Sequence, residues 1–199
     1  MSKKDSTTEN HIKETAKNIF FKEGKYQATT QEIADTAGVN RTLLHYYFRS
    51  REMLLEIVLA EGQAEFKDKM SKKIDQTLSF KARISQFIDV WMEQTNEYPY
   101  LDSYLVSQMH NGAFLENVVN KSKTNQKELS DFLTDIENEM KAGRITKMEP
   151  LQFVLNLISM ISYPLIMRPL LEKTFSLNKK SYSKVMEDRN EAIMATIFK

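Results

Sequence analysis

Residues 29–48 read TTQEIADTAGVNRTLLHYYF and hold the side chains of this chain best suited to chemistry with a polyanion. Thr29 with Glu32 has the spacing of a capping box, in which a hydroxyl and a carboxylate each satisfy a backbone N–H left over at a helix start. Ile33, Ala34 and Ala37 follow at helical spacing, Gly38 suits a tight turn, and Asn40 can cap a second short helix running to about Phe48. Two short helices around a tight turn have the composition of a helix-turn-helix. At about 100° per residue, Leu44 and Phe48 share one arc of the second helix, while Thr42, His45, Tyr46 and Arg49 share another. Hydrogen-bonding and cationic groups on one face are the groups that reach base edges and phosphates in a DNA major groove. An ordinary helical hairpin with a solvated face shows the same spacing, so a helical protein-interaction scaffold without DNA binding stays open as the alternative. The scaffold reading expects the polar face to tolerate acidic substitution; the DNA reading expects the reverse.

Charge sharpens the first reading. The 199 residues carry 28 Lys or Arg against 27 Asp or Glu, a formal net charge of +1, which taken alone argues against a nucleic-acid partner. The balance is uneven along the chain. Through residue 51, nine Lys or Arg stand against six Asp or Glu. The basic excess sits where the groove-facing helix sits.

Composition excludes other chemistry. There is no cysteine, which removes disulfide scaffolds, thiolate zinc sites, cysteine nucleophiles and thiol redox sensing. His11, His45 and His110 are widely spaced with no ligand motif around them, and no glycine-rich phosphate loop or nucleophile motif appears. The expectation is a protein that is not an enzyme and has no metal site and no cofactor.

Stepping along the chain gives the elements that must hold these residues. Five glycines and four prolines are few, which favours long helices over a turn-dense sheet. Ser6 with Glu9 fits a capping box ahead of the stripe Ile12, Ala16, Ile19 and Phe20, and Gly24 suits a stop. Ser50 opens a fourth helix with Met53, Leu54, Ile57 and Val58 on one face. Beyond residue 75 the stripes lengthen: Phe80 to Met92, about Tyr100 to Met109, Leu129 to Met140 stopped by Gly143, and Tyr182 to Phe198. Leu151 to Phe175 reads as one nearly all-apolar, and therefore buried, helix that Pro164 and Pro169 should kink or break. The fold class expected is all-α, about nine helices with no strand. Leu151 to Leu171 has the length of a membrane span, but Gln152, Asn156, Ser159, Ser162, Arg168 and two prolines favour a buried helix. No apolar stretch follows the basic N-terminus, so the expectation is a soluble cytoplasmic protein with no membrane partner.

The first quarter of the chain resembles the TetR/AcrR family of bacterial transcriptional regulators. The residues that carry the resemblance are Thr29-Thr30, Ile33-Ala34, Ala37-Gly38-Val39, Leu44, Tyr47-Phe48 and Ser50-Arg51-Glu52, within roughly residues 8 to 58. It implies a helix-turn-helix DNA-binding domain over 1–49 and a helical ligand-binding and dimerisation domain over 50–199. The implied function is a ligand-responsive regulator, a repressor, that binds a pseudo-palindromic double-stranded operator as a homodimer and is released by a small apolar or aromatic inducer. It implies that Thr30 and Gln31 approach the backbone or a base, that Arg41, Thr42, His45 and Tyr46 face the major groove, and that Tyr47 and Arg51 brace phosphates. His45 stands where the family usually has tyrosine, Thr42 where glycine is common, and Arg51 where lysine is usual. For the inducer, Phe87, Trp91, Tyr104, Met109, Phe114, Met160 and Tyr163 are the candidate ligand contacts: large, polarisable side chains of the kind that line apolar pockets, and equally at home in an ordinary core.

Overall fold

The computed structural model describes residues 3–110, 112, 114, 116 and 126–199. Helix α1 (Lys3–Lys17) runs into a π-helical turn (Asn18–Lys22), followed by α2 (Thr30–Thr36), α3 (Arg41–Phe48), α4 (Arg51–Lys73), α5 (Phe80–Glu97) and α6 (Leu101–Gln108). Then come α7 (Gln126–Lys141), α8 (Pro150–Ile166), α9 (Arg168–Thr174), α10 (Lys179–Glu187) and α11 (Arg189–Ile197). The protein is all-α. Among the described residues the one extended pairing is an isolated bridge between Ile145 and Phe198. The chain packs as two compact units, Met1–Lys72 with Gln94–Tyr104, and Lys73–Glu93 with Leu105–Lys199.

In the first unit, Ile12, Ala16, Phe20, Ile33, Leu44, Phe48, Leu54 and Val58 are all essentially inaccessible to solvent, as their helical spacing requires. Helix α1 is already under way at Lys3, so Ser6 lies inside it and the capping box expected at Ser6 and Glu9 does not start the helix. Gly24 has φ +72°, and a Cβ there would meet the Tyr100 ring at 2.9 Å, so both backbone and neighbour demand glycine. Tyr100 N–H donates to the Phe21 carbonyl at 3.0 Å, and the Tyr26 hydroxyl donates to the Tyr100 carbonyl at 2.5 Å. Phe21, Tyr26, Tyr98 and Tyr104 pack ring against ring. Burial pushes the Tyr26 and Tyr98 phenols up to about 12. Lys17, buried, reaches Glu65 at 2.6 Å and Glu14 at 2.9 Å, while Lys13 reaches Glu61 at 2.6 Å. Burial alone would lower the Lys17 ammonium, but hydrogen bonds and charge from Glu65 and Glu14 hold it above its ordinary value.

The second unit has a core built on Phe80, Ile84, Ile88, Phe153, Leu157 and Ile161. Two expectations change here. Among the described residues the count is eleven helices where about nine were expected, because the Leu151 to Phe175 helix is broken at Met167 and the last stripe is broken at Asp188. Helices α8 and α9 diverge by 68°. The cause is local. Pro164 cannot donate to the Met160 carbonyl four residues back, and Pro169 cannot donate to that of Leu165. The Met160 carbonyl instead accepts from Arg189 Nε at 3.0 Å and Nη2 at 2.5 Å, and the Pro164 carbonyl accepts from the Tyr182 hydroxyl at 2.8 Å. The break at Asp188 thus sets Arg189 against the kink.

The second correction concerns burial. Phe153, Leu157, Ile161 and Leu165 of α8 are buried, but Leu151, Leu155 and Ile158 on another face are exposed, Leu151 by 51% and Leu155 by 49%. The segment is apolar on two faces, and only one of them is covered. No single described helix is long and apolar enough to cross a membrane.

Candidate nucleic-acid interface

Helix α2 starts as its sequence dictates. The Thr29 hydroxyl accepts from Glu32 N–H, and the Glu32 carboxylate accepts from Thr29 N–H at 2.7 Å and from its hydroxyl at 2.8 Å. Those bonds hold the Glu32 carboxyl below the usual carboxylate range. The chain leaves α2 through Gly38 at φ +65°, a left-handed turn that favours glycine. Asn40 then caps α3, its Oδ1 accepting from Leu43 N–H at 2.7 Å. Helix α1 packs on α2, and α2 on α3. Ile33, Ala34, Leu44 and Phe48 fix the pair from the buried side.

Two further side chains clamp this hairpin. His11 Nε2 lies 3.0 Å from the carbonyl of Ala37, the last residue before Gly38. Arg51 Nε donates to the Ala28 carbonyl at 2.7 Å, one residue before the α2 cap, with its guanidinium 5.6 Å from the Phe20 ring centroid. Sequence reasoning missed His11; a histidine one position from the buried Ile12 was its only trace. Arg51, expected at a phosphate, has its Nε committed to the backbone and Nη1 3.3 Å from Glu52.

The outer face of α3 presents the remaining candidates. Arg41, Thr42, His45 and Tyr46 are exposed, Tyr46 by 75%. Tyr47 is half-buried and meets the Tyr46 ring edge-on at 5.2 Å. Arg49 is exposed at the C-cap with φ +57°, a conformation uncommon outside glycine. Thr30 is half-buried at the first position of α2, and Gln31 is exposed with its amide donating to Asp35 at 2.7 Å. The local basic excess is narrower than the count suggests, because Lys13, Lys17 and Lys25 are tied to glutamates. Arg41 and Arg49, at the two ends of α3, have no ion-pair partner among the described residues. The result is a convex helix face with a cation at each end and hydrogen-bonding groups between, which suits a polyanionic groove.

The candidate ligand contacts scatter. A cavity of about 580 Å³ lies in the second unit against α5, α7 and α8, and of the seven candidates it is lined by Phe87 alone. Trp91 stands edge-on to Phe87 at 5.5 Å. Met160 packs against the core of that unit. Met109 and Tyr163 are exposed, and Phe114 is partly so. Tyr104 belongs to the first unit, packed on Phe21 and Tyr26. Sequence reasoning missed Phe80, Arg83, Ile84, Phe132 and Leu157, which line the cavity from three helices. No group of three or more His, Asp or Glu among the described residues is placed to hold a metal.

Comparison with known proteins agrees with this layout. Residues 12–58 match the family described as bacterial regulatory proteins, tetR family. No curated protein sequence is significantly similar to this chain. Among solved structures, the ketosteroid transcriptional regulator KstR2 of Mycobacterium tuberculosis superposes with a TM-score of 0.70 at 13% identity, over 96% of this chain and 95% of that one. A TetR-family transcriptional regulator of Haemophilus influenzae gives 0.60 at 18% identity over 100% of both chains. A TetR-like transcriptional regulator from Rhodococcus sp. RHA1 gives 0.60 at 16% identity, over 94% of this chain and 96% of that one. These likenesses show a shared fold. Residues 12–58 thus form a domain of the family of bacterial regulatory proteins, tetR family, and the chain as a whole has the fold of the solved TetR-family regulators.

Proposed function

We propose that the protein is a cytoplasmic repressor that binds a two-fold operator as a homodimer and leaves it when a small molecule occupies the second unit. The observation that carries this reading is the outer face of α3, where Arg41, Thr42, His45, Tyr46 and Arg49 stand exposed on a helix whose start and turn are fixed by Thr29, Gly38 and Asn40. Arg41, Thr42, His45 and Tyr46 meet base edges, while Tyr47, Arg49, Thr30 and Gln31 meet the sugar-phosphate backbone. Arg51 orients the hairpin through Ala28 and offers at most Nη2 to a phosphate. In this division residues 1–49 read DNA and 50–199 sense and dimerise.

Dimerisation is supported by α8. Leu151, Leu155, Ile158 and Ser162 fall at i, i+4, i+7 and i+11, a stripe of the width that packs against a second helix. A symmetric dimer would set two copies of α3 about 34–36 Å apart, one turn of the double helix. The sensing route runs through α4. Ile74, which lines the cavity, follows directly on Lys73, the last residue of α4, and α4 begins at Arg51 beside the hairpin. A ligand acts only by its difference in affinity for the operator-bound and released states. With no cysteine in the chain, the signal is a bound molecule and not thiol oxidation.

A footprint of the full chain on the DNA flanking its own gene tests this. The reading expects a protected, approximately two-fold symmetric site. Absence of any protection on that DNA or on other genomic duplexes would overturn it.

A further inference from the structure

A guanidinium presents its N–H donors in a rigid fork, and burying one of them without an acceptor costs free energy. Arg83 of α5 carries such a donor: its Nε is buried and has no hydrogen-bond partner among the described residues. The two terminal nitrogens are engaged. Nη2 donates to Asp135 at 2.6 Å and Nη1 to Gln76 at 3.2 Å, while the guanidinium carbon sits 5.7 Å from the Phe80 ring centroid. Three neighbours thus fix the group and leave the Nε–H unused. Arg83, Gln76, Phe80 and Asp135 all line the cavity of about 580 Å³, a volume suited to a small molecule. Among the described residues one other buried side-chain donor lacks a partner, Gln94 Nε2, and it belongs to the first unit.

The rest of the wall sets the class of acceptor. Phe87, Phe132, Val154 and Leu157 offer apolar surface to the body of a ligand. Asp135 already balances the charge of Arg83, so what Nε lacks is a lone pair and not a counter-charge. A ligand carboxylate would add a second negative charge to a balanced pair, and Glu128 and Asp131 of the same wall would oppose it. A cationic head would offer Nε no lone pair and leave it orphaned. An uncharged oxygen meets both conditions.

We propose that this cavity binds an uncharged lipophilic carbonyl compound, its oxygen accepting from Arg83 Nε and its apolar body held among Phe87, Phe132 and Leu157. The donor is oriented before the ligand arrives, so little ordering accompanies the bond, and a molecule without the oxygen leaves the donor unpaired. The proposal rests on the sensing role given above to the second unit, and names the chemical class of the molecule sensed.

The test uses probes of one shape that differ in their polar group: benzophenone, diphenylmethane, diphenylacetate and diphenylmethylammonium, a ketone, a hydrocarbon, an anion and a cation. Each is titrated into the full-length protein and followed by calorimetry. Benzophenone should bind more tightly than either ion. In Arg83→Met with Asp135→Ala, which removes the donor and its counter-charge together, diphenylmethane should still bind, and the affinity ratio of benzophenone to diphenylmethane should fall about tenfold, the worth of one hydrogen bond. In protein with isotope-labelled arginine, the Arg83 Nε–H resonance, identified by its loss in Arg83→Lys, should move further downfield with benzophenone than with diphenylmethane. Tighter binding of either ion, an affinity ratio unchanged in the double variant, or a resonance that responds alike to ketone and hydrocarbon would overturn the proposal. The resonance decides the matter should the double variant not fold. All readouts are taken without DNA, so their failure is separate from a failure of the footprint.

Discussion

The hairpin of α2 and α3 and the kinked pair α8 and α9 solve the same problem in opposite ways. Each must redirect a helix sharply without leaving backbone groups unsatisfied. The hairpin does so chiefly with neighbours in sequence: Thr29, Glu32, Gly38 and Asn40 supply both helix starts and the turn within a dozen residues, with His11 and Arg51 reaching in from outside. The α8–α9 kink does so with residues far along the chain, Tyr182 and Arg189, which take the carbonyls of Pro164 and Met160. A locally closed device can present its outer face to another molecule with little dependence on the rest of the fold. A device closed at long range ties helix direction to the packing of the whole bundle, the property needed where a ligand must change the shape of the protein.

The largest break between the two regions should come from the exposed stripe of α8. Leu151→Asp with Leu155→Asp leaves the hairpin untouched, yet should convert a dimer to a monomer by light scattering. Operator affinity should fall by more than about 100-fold, because each half-site then binds alone. Helicity should persist. Next is Arg189→Met, which removes the donors to the Met160 carbonyl and leaves it unsatisfied beside the kink. It should cost about 2 kcal/mol in chemical unfolding while sparing DNA binding by the protein that stays folded. Thr29→Ala, the matching change in the hairpin, should cost about 1 kcal/mol and also weaken DNA binding, since it loosens the frame that carries α3.

Smallest near neutrality is the tyrosine cluster of the first unit. Tyr26 and Tyr98 have phenols raised to about 12 against about 10 in the unfolded chain. Their raised values favour the protonated, folded form. That stability is fully present below about pH 10 and is lost as pH rises through about 12. Tyr98→Phe should flatten the alkaline decline in unfolding midpoint and change little at pH 7.

What the sequence disclosed follows the same division. The caps at Thr29 and Asn40, the turn at Gly38 and the stops at Gly24 and Gly143 were legible because each is set by a few adjacent residues. The break within residues 151–175 was legible from its prolines, but the break at Asp188 was not, because what it achieves, Arg189 against Met160, spans 29 residues. The buried faces of α8 were over-read for a related reason: an all-apolar helix shows which residues avoid water, not which neighbour covers them. The exposed side chains of α3 could be read from helical periodicity. The cavity could not, since Phe80, Phe132 and Leu157 come from three separated helices and look like core in any one of them. Arg51 reads as a phosphate ligand by type, and its bond to Ala28, which no local pattern announces, adds a part in the frame.

The central claim is that the outer face of α3 reads DNA, and a salt titration of binding to an operator duplex tests it most directly. The account predicts that log affinity falls linearly with log salt. Arg41→Ala and Arg49→Ala should each lower the slope by about one for every phosphate contact removed. Lys25→Ala, which removes a cation already paired with Glu23, should leave the slope unchanged. A slope indifferent to both arginines, or full affinity retained by Thr42→Glu with His45→Glu, would contradict the account and favour a helical scaffold that does not bind DNA.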